Sequence, residues 1–166
     1  MEELDHDAQQ RREAFARYGL AMYQAQCVEK SLAILVSSVF NKNFLPSEPV
    51  NREEMQDDIF AKATGALLTR LRKQVAVPQN LDKSLEEARR KRNWLAHGYF
   101  WDRAHDVLTT EGREGMIKEL TQLSEFFSSL DGHLMTLCEK WARKVGIWGE
   151  VEEKLRVLIP HTDVTE

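Results

Sequence analysis

The chain has 166 residues, of which 23 are Lys or Arg and 27 are Asp or Glu, so its formal net charge is −4. This length is that of one ordinary domain, and 42% hydrophobic with 30% charged residues is typical of a globular protein rather than a disordered one. The net charge argues against a globally basic nucleic-acid-binding protein, and the scarcity of glycine (8) and proline (4) argues against a turn-rich sandwich or barrel.

The first predicted element is a long helix over about residues 8–40. Its apolar positions recur every three or four residues, which is the spacing of one face of an α-helix. They form an apolar seam with one charged member: Phe15, Tyr18, Met22, Ala25, Glu29, Leu32, Val36 and Val39. Residues 41–50 contain two prolines and are predicted to be a loop.

Two more helices are predicted in the middle of the chain. Asn51 and Glu54 form a possible capping box at the start of the second helix, which we expect to end near residue 76. Asn80 is the expected cap of the third helix, which ends at Gly98. The seam of the third helix again has one charged member: Leu81, Leu85, Ala88, Arg92 and Leu95.

The last long helix is expected to follow an irregular stretch over residues 99–108. Thr109 or Thr110 is the predicted cap of this fourth helix, and Gly146 ends it. Its seam alternates steps of four and three: Met116, Leu120, Leu123, Phe127, Leu130, Leu134, Leu137 and Trp141. Gly132 is expected to weaken this helix in the middle and to mark a kink.

These elements predict an all-α fold, an up-down bundle of four main helices plus a short C-terminal helix over residues 149–159. We expect a single domain over residues 1–166, with a core at about 8–145 and an extension at 146–166. No internal repeat and no low-complexity segment divides the chain.

Several classes of site have no signal in the sequence. Cys27 and Cys138 are far apart and lack a C-x-x-C partner, so we expect reduced thiols in a cytoplasmic protein. The N-terminus is charged and no apolar run approaches 18 residues, so neither a signal peptide nor a membrane span is expected. Neither H-x-x-x-H, helical E-x-x-H nor a phosphate-binding glycine loop occurs, so we expect no metal and no cofactor.

Glu29 and Arg92 are ionisable residues at seam positions that should be apolar, and their charges are opposite. A lone buried charge costs several kcal/mol, so a charge at such a position must be paired. We therefore expect that the two residues meet, or that both face a polar cleft. A structural ion pair in the bundle core and a functional site both remain open.

The stretch over residues 89–103 concentrates charge and aromatic rings around Arg92. It reads Arg89, Arg90, Lys91, Arg92, Asn93, Trp94, Leu95, Ala96, His97, Gly98, Tyr99, Phe100, Trp101, Asp102 and Arg103. Cations with interleaved aromatics suit single-stranded nucleic acid. The alternative is a solvated helix face balanced by Glu86 and Glu87, with the aromatic residues in the core or in a dimer interface.

His97 is the best candidate for a group that titrates near neutrality, because it lies at a helix end beside Arg92 and Asn93. The other histidines lie in the tails, the fourth helix or the irregular stretch: His6, His161, His133 and His105.

The run from Arg92 to His97 resembles the R-x4-6-H motif of HEPN domains, in the form with a polar residue directly after the arginine. With Tyr99 the longer pattern R-x4-H-x-Y is complete, which is similar to the toxin of prokaryotic HEPN–MNT toxin–antitoxin pairs. The motif ends a late helix in an all-α chain and a long helix follows it. Motif and helix order together cover most of residues 8–145, and about eight positions carry the resemblance.

The resemblance implies a metal-independent endoribonuclease that acts as a homodimer, with both motifs in one composite cleft. His97 and Arg92 match the catalytic residues of the motif, and Asn93 matches its polar position. Tyr99 matches the tyrosine that a nucleotidyltransferase antitoxin adenylylates. Glu29 is not part of the motif, and its role as a supporting polar partner rests on its seam position alone.

A dimer would also bring two basic clusters together, so a protein with negative net charge can present one basic cleft to RNA. The expected RNA-binding residues are Arg89, Arg90, Lys91 and Arg103. Two alternatives are a non-catalytic HEPN-like dimer that binds a nucleotide or a protein, and an accessory subunit that positions another enzyme. The presence of both Arg92 and His97 favours the enzyme.

Overall fold

The computed structural model describes residues 6–41, 64–74, 76–149 and 152, and within them no strand is present. The all-α prediction is confirmed. The helices are α1 (His6–Asn41), α2 (Thr64–Gln74), α3 (Gln79–His97), α4 (Tyr99–Asp102) and α5 (Thr110–Val145), with a 3-10 turn at Asp106–Leu108.

The hydrophobic core lies between α1, α2, α3 and α5, and its most extensive contact joins the two long helices α1 and α5. The seams predicted from periodicity supply most of its members. They include Ala25, Leu32, Leu85, Leu95, Met116, Leu120, Phe127 and Leu134. Phe15 departs from the prediction, because its side chain is more than half exposed at the edge of the core.

The helix directions differ from the up-down order predicted for four main helices. Asp7 pairs with Arg113 and Ser31 with Asp131, so α1 and α5 run parallel. In a simple up-down bundle the first and fourth helices are antiparallel. The prediction of this order was wrong because side-chain periodicity shows which face of a helix is buried and carries no information on its direction.

The α3 helix runs antiparallel to α1, which sets the geometry around Arg92. The Tyr18 hydroxyl of α1 donates to the Leu95 carbonyl of α3 at 3.0 Å. Glu29, eleven residues after Tyr18, contacts Arg92, three residues before Leu95, so the two helices run in opposite directions. One end of α3 therefore faces the middle of α1.

The two boundaries of α5 agree with the prediction. Thr109 is the cap, and its Oγ1 accepts a hydrogen bond from the Gly112 N–H at 3.1 Å. Gly146 closes the helix with φ of 80°, a left-handed conformation that favours glycine. The helix continues through Gly132 without interruption, contrary to the expected weak point.

Other boundaries need correction or lie outside the described residues. The α3 helix begins at Gln79 after Pro78, so Asn80 is not its cap. The stretch expected to be irregular after Gly98 forms α4 and the 3-10 turn. The Asn51–Glu54 capping box lies outside the described residues, as does nearly all of the short helix predicted at 149–159.

No helix in the described parts of the chain is long and apolar enough to cross a bilayer.

Candidate functional site

The two seam charges singled out in the sequence meet in the structure. Nε of Arg92 lies 2.9 Å from Oε1 of Glu29, and Nη2 of Arg92 donates to Oε2 at 3.4 Å. The two side chains are 32% and 23% exposed, so the pair lies at the edge of the core. The prediction that Glu29 and Arg92 meet is therefore confirmed, and the position of the pair leaves the guanidinium within reach of solvent.

Thr64, the first residue of α2, is the third member of this cluster. Its side chain is buried, and its hydroxyl donates to Oε1 of Glu29, the oxygen that also faces Arg92. Three helices thus contribute one side chain each, and a carboxylate held from two sides has little freedom to rotate. Nothing in the sequence distinguishes Thr64, because a small hydroxyl residue between Ala63 and Gly65 breaks no pattern.

Arg92 uses only part of its hydrogen-bonding capacity. Nη1 donates to Oδ1 of Asn93 at 3.4 Å, whereas the Nε–H makes no hydrogen bond, since it does not point along the short line to Oε1 of Glu29. A guanidinium has five N–H donors in a planar fork. Glu29 orients the guanidinium, and because Nε is buried, the donors that remain open to an anion are the outer N–H groups of Nη1 and Nη2.

His97 is the last residue of α3 and is exposed, with no hydrogen bond or ion pair to any residue that the structure describes. Five residues of α-helix turn by about 140°, so His97 and Arg92 lie on different faces of α3. Arg92 points towards α1, whereas Asn93 and His97, one turn apart, share the solvent face. Within one chain Asn93 contacts Arg92 and shares a helix face with His97, and the structure does not bring His97 to Arg92.

Tyr99 is buried, with 1% of its surface exposed. Its ring packs against Tyr18, Trp94 and Phe100, with ring centroids 4.9–5.7 Å apart. Its hydroxyl has no hydrogen-bond partner among the described residues, and burial, followed by the negative charge of Glu119, raises its pKa. Adenylylation of Tyr99 requires α4 to move first, and its role as the modified residue stays a prediction.

The predicted RNA-binding cations of α3 are largely paired with carboxylates of the same helix. Nη2 of Arg89 lies 2.5 Å from Glu86, and Nζ of Lys91 lies 2.8 Å from Glu87. Arg90 is exposed and has no ion pair to the described part of the chain. The structure therefore favours the alternative of a solvated helix face whose charges are balanced by Glu86 and Glu87. Arg90 is the one cation of these three without an ion pair to the described residues.

Arg103, the fourth expected RNA-binding residue, belongs to a group of contacts that we call the α4 clamp. Its guanidinium forms two hydrogen bonds to Glu119 of α5, at 2.7 and 3.0 Å, and stacks 5.5 Å from the Trp94 ring. Trp94 in turn donates through Nε1 to Asp102 at 2.7 Å. The hydrogen bond to Glu119 raises the Arg103 pKa, and the clamp fixes α4 against α5.

A further arginine, Arg113, forms the most complete polar cluster among the described residues. It is 1% exposed, and all three of its nitrogens donate: to Asp7 at 2.5 Å, Gln10 at 3.0 Å, the Val107 carbonyl at 3.2 Å and Thr110 at 3.3 Å. These bonds join the start of α1 to the start of α5. The sequence contained a signal for Arg113: three residues before Met116, it continues the apolar seam of the last helix and is a charged residue at an apolar position.

The cysteines are unpaired, as expected. Cys27 and Cys138 are both free, and burial raises the pKa of the Cys138 thiol to about 11. A raised pKa leaves little thiolate at neutral pH, which argues against a nucleophilic role for Cys138.

Neither a metal-binding cluster in the described residues nor a similar known protein indicates a function. In the described ranges no three His, Cys, Asp or Glu side chains converge in a way that could hold a metal ion. Comparison with protein-family models, with curated proteins and with solved structures found no match. The functional interpretation therefore depends on the R-x4-H motif and on the geometry around Arg92.

Proposed function

We propose that this chain is a cytoplasmic, metal-independent endoribonuclease of HEPN type that acts as a homodimer. One observation carries the proposal: Arg92 is held beside Asn93 by Glu29, which Thr64 holds in turn, and His97 is exposed one turn beyond Asn93. An oriented anion-binding group and an accessible acid–base group are the two components that cleavage of RNA through its own 2′-hydroxyl requires.

The reaction needs no external nucleophile. The 2′-hydroxyl attacks the adjacent phosphorus and the bond to the 5′ oxygen breaks, which leaves a 2′,3′-cyclic phosphate and a 5′-hydroxyl. His97 takes the proton from the 2′-hydroxyl or supplies one to the leaving oxygen. Arg92 donates to the phosphorane, where negative charge develops, and Asn93 orients the substrate.

The divergence of Arg92 and His97 on one helix supports a dimer. A single α3 presents the two side chains on different faces, so a cleft that contains both groups requires two copies of α3 side by side. The same arrangement brings two copies of the unpaired Arg90 together and raises the local positive charge. A nucleotidyltransferase that modifies Tyr99 would then regulate the cleft by acting on a residue of α4 that is now buried.

The test is cleavage of a single-stranded RNA by the purified protein in the presence of a chelator. We expect wild-type protein to yield 2′,3′-cyclic phosphate ends by mass spectrometry, and His97→Ala and Arg92→Ala to yield at least about a hundredfold less. His133→Ala is the matched control, since His133 is also exposed but lies on α5. RNA left intact by wild-type protein at every concentration, or cleaved equally by His97→Ala, would refute the proposal.

A second candidate is a non-catalytic dimer that binds a nucleotide or a protein. It is favoured by the charge pairing, since Arg89, Lys91 and Arg103 all face carboxylates of this chain and Arg92 faces Glu29. Calorimetric titration with nucleotides separates the two candidates. The binding module takes up ligand without turnover, and His97→Ala leaves its affinity unchanged.

A further inference from the structure

The four aromatic residues after the motif arginine separate into two groups by exposure. Trp94, Tyr99 and Phe100 pack into one cluster with Tyr18, with ring centroids 4.6–5.7 Å apart. Trp101 is 87% exposed and makes no ring contact with any described residue. The fold accounts for the first three rings and gives no reason for an indole at position 101.

Along the chain, Trp101 follows a polar face of α3 with one cation that has no ion pair to the described residues. The preceding solvent face of α3 presents Arg90, Asn93 and His97 at steps of three and four residues, and all three are exposed. Backbone hydrogen bonds from the Gly98 N–H to the Trp94 carbonyl, and from the Asp102 N–H to the Gly98 carbonyl, connect this helix to α4. Trp101 therefore stands directly beyond the histidine end of the motif.

The α4 clamp holds the backbone on the C-terminal side of Trp101. Asp102 accepts from Trp94, and Arg103 is bound to Glu119 of α5. A ring whose backbone is fixed in this way loses little conformational entropy when a ligand stacks on it. Burial of the neighbouring Phe100 and Tyr99 leaves Trp101 directed away from the core.

We propose that Trp101 is a stacking platform for an unpaired base of a single-stranded nucleic acid, and that Arg90 contacts a phosphate of the same strand. Stacking on an exposed ring beside cations is the usual way in which proteins bind single strands without reading sequence. A protein partner is less well matched, since the core of a protein interface is a contiguous apolar surface, whereas Trp101 follows the polar solvent face of α3. The inference rests on the proposed function for the identity of the strand as RNA.

The test uses binding of a short labelled thymidine oligonucleotide, which lacks the 2′-hydroxyl and cannot be cleaved by the proposed reaction. We expect wild-type protein to bind it at low salt with quenching of tryptophan fluorescence. Trp101→Ala is expected to weaken binding about tenfold and to remove most of the quenching, whereas Trp101→Phe keeps a ring and most of the affinity. Leu108→Ala is the matched control, because Leu108 is also an exposed apolar residue near α4.

An oligonucleotide with one abasic position adds a second measurement. If Trp101 stacks on a base, one abasic position lowers wild-type affinity by a similar factor and has no further effect on Trp101→Ala. Equal binding by wild type and Trp101→Ala overturns the inference. So does a shift of Trp101→Ala from dimer to monomer in light scattering, which would assign the ring to self-association.

Failure of this inference and failure of the proposed function give different results. A protein that binds the oligonucleotide through Trp101 and leaves RNA intact supports the stacking site and refutes the nuclease. A protein that cleaves RNA equally well with and without Trp101, and binds the oligonucleotide equally well, refutes the stacking site alone.

Discussion

Two arginines occupy seam positions in this fold, and their environments differ. Arg113 is 1% exposed, and each of its three nitrogens donates a hydrogen bond. Arg92 is about one-third exposed, its Nε has no hydrogen bond, and its main partner Glu29 is shared with Thr64. In both cases a charged residue at an apolar position of a helix makes a polar contact with another helix. The extent of its hydrogen bonding and exposure then shows whether the arginine only supports the fold or can also bind a ligand.

The physical reason is the cost of desolvation. A buried guanidinium must replace its water contacts with protein acceptors, and Arg113 does so through four hydrogen bonds that use all three of its nitrogens. A ligand would have to displace those acceptors. Arg92 retains contact with water and has free donors, so an anion can bind it without breaking the fold.

The largest expected effect on stability is at Arg113. Arg113→Ala removes four hydrogen bonds and leaves a cavity, so we expect the free energy of unfolding to fall by about 3 kcal/mol or more in urea titrations. Arg143→Ala, at an exposed arginine of the same helix, is expected to change it by less than about 0.5 kcal/mol. If the two variants lose the same stability, the structural role assigned to Arg113 is wrong.

Arg92→Ala is expected to have a large effect on activity and a small effect on stability. We expect cleavage to fall by a factor of about 10²–10³, the usual effect of removing a donor to a developing oxyanion, and the free energy of unfolding to fall by only about 1 kcal/mol. The measurements are single-turnover cleavage and urea titration on the same protein preparation. A variant that loses stability in proportion to activity would show that Arg92 only supports the fold.

Thr64→Val tests whether Glu29 must be held for Arg92 to act. The substitution keeps the volume and removes the hydroxyl donor, so we expect kcat about tenfold lower with KM nearly unchanged. Thr64→Ser restores the donor and is expected to restore kcat. Equal kcat for the valine and serine variants would remove Thr64 from the site.

The smallest expected effect concerns Tyr99, a buried polar group without a partner. Its raised pKa means that above pH near 10 the unfolded chain loses a proton that the folded chain keeps, so stability falls as the pH rises past that value. Alkaline titration of phenolate absorbance, as the difference between wild type and Tyr99→Phe, should show no ionisation of Tyr99 near pH 10 while the protein is folded. A normal titration of Tyr99 would mean that its hydroxyl is hydrated.

The sequence predicted the helical class, the seams and the Glu29–Arg92 contact because each depends on the period of apolar residues. The same period extended by one step reaches Arg113, so that residue could also have been found. Thr64 could not, since a hydroxyl residue breaks no apolar pattern.

The direction of α5 and the local structure after the motif were also beyond reach. The spacing of apolar residues along a helix is the same whether the helix packs parallel or antiparallel to its neighbour, so it does not predict direction. Phe100 and Trp101 are adjacent aromatic residues, and no periodic pattern separates the partly buried ring of Phe100 from the 87% exposed ring of Trp101. Their different exposure is set by the packing of α4, which the contact between Arg103 and Glu119 holds against α5.

The parallel packing of α1 on α5 has a consequence for how the chain folds. The contact between Asp7 and Arg113 closes a loop of 106 positions, and the partner of the first helix is the last long one to be synthesised. The apolar face of α1 therefore lacks its most extensive native contact while the intervening helices leave the ribosome, and contacts between residues distant in sequence slow folding. The core cannot be completed before α5 has been synthesised.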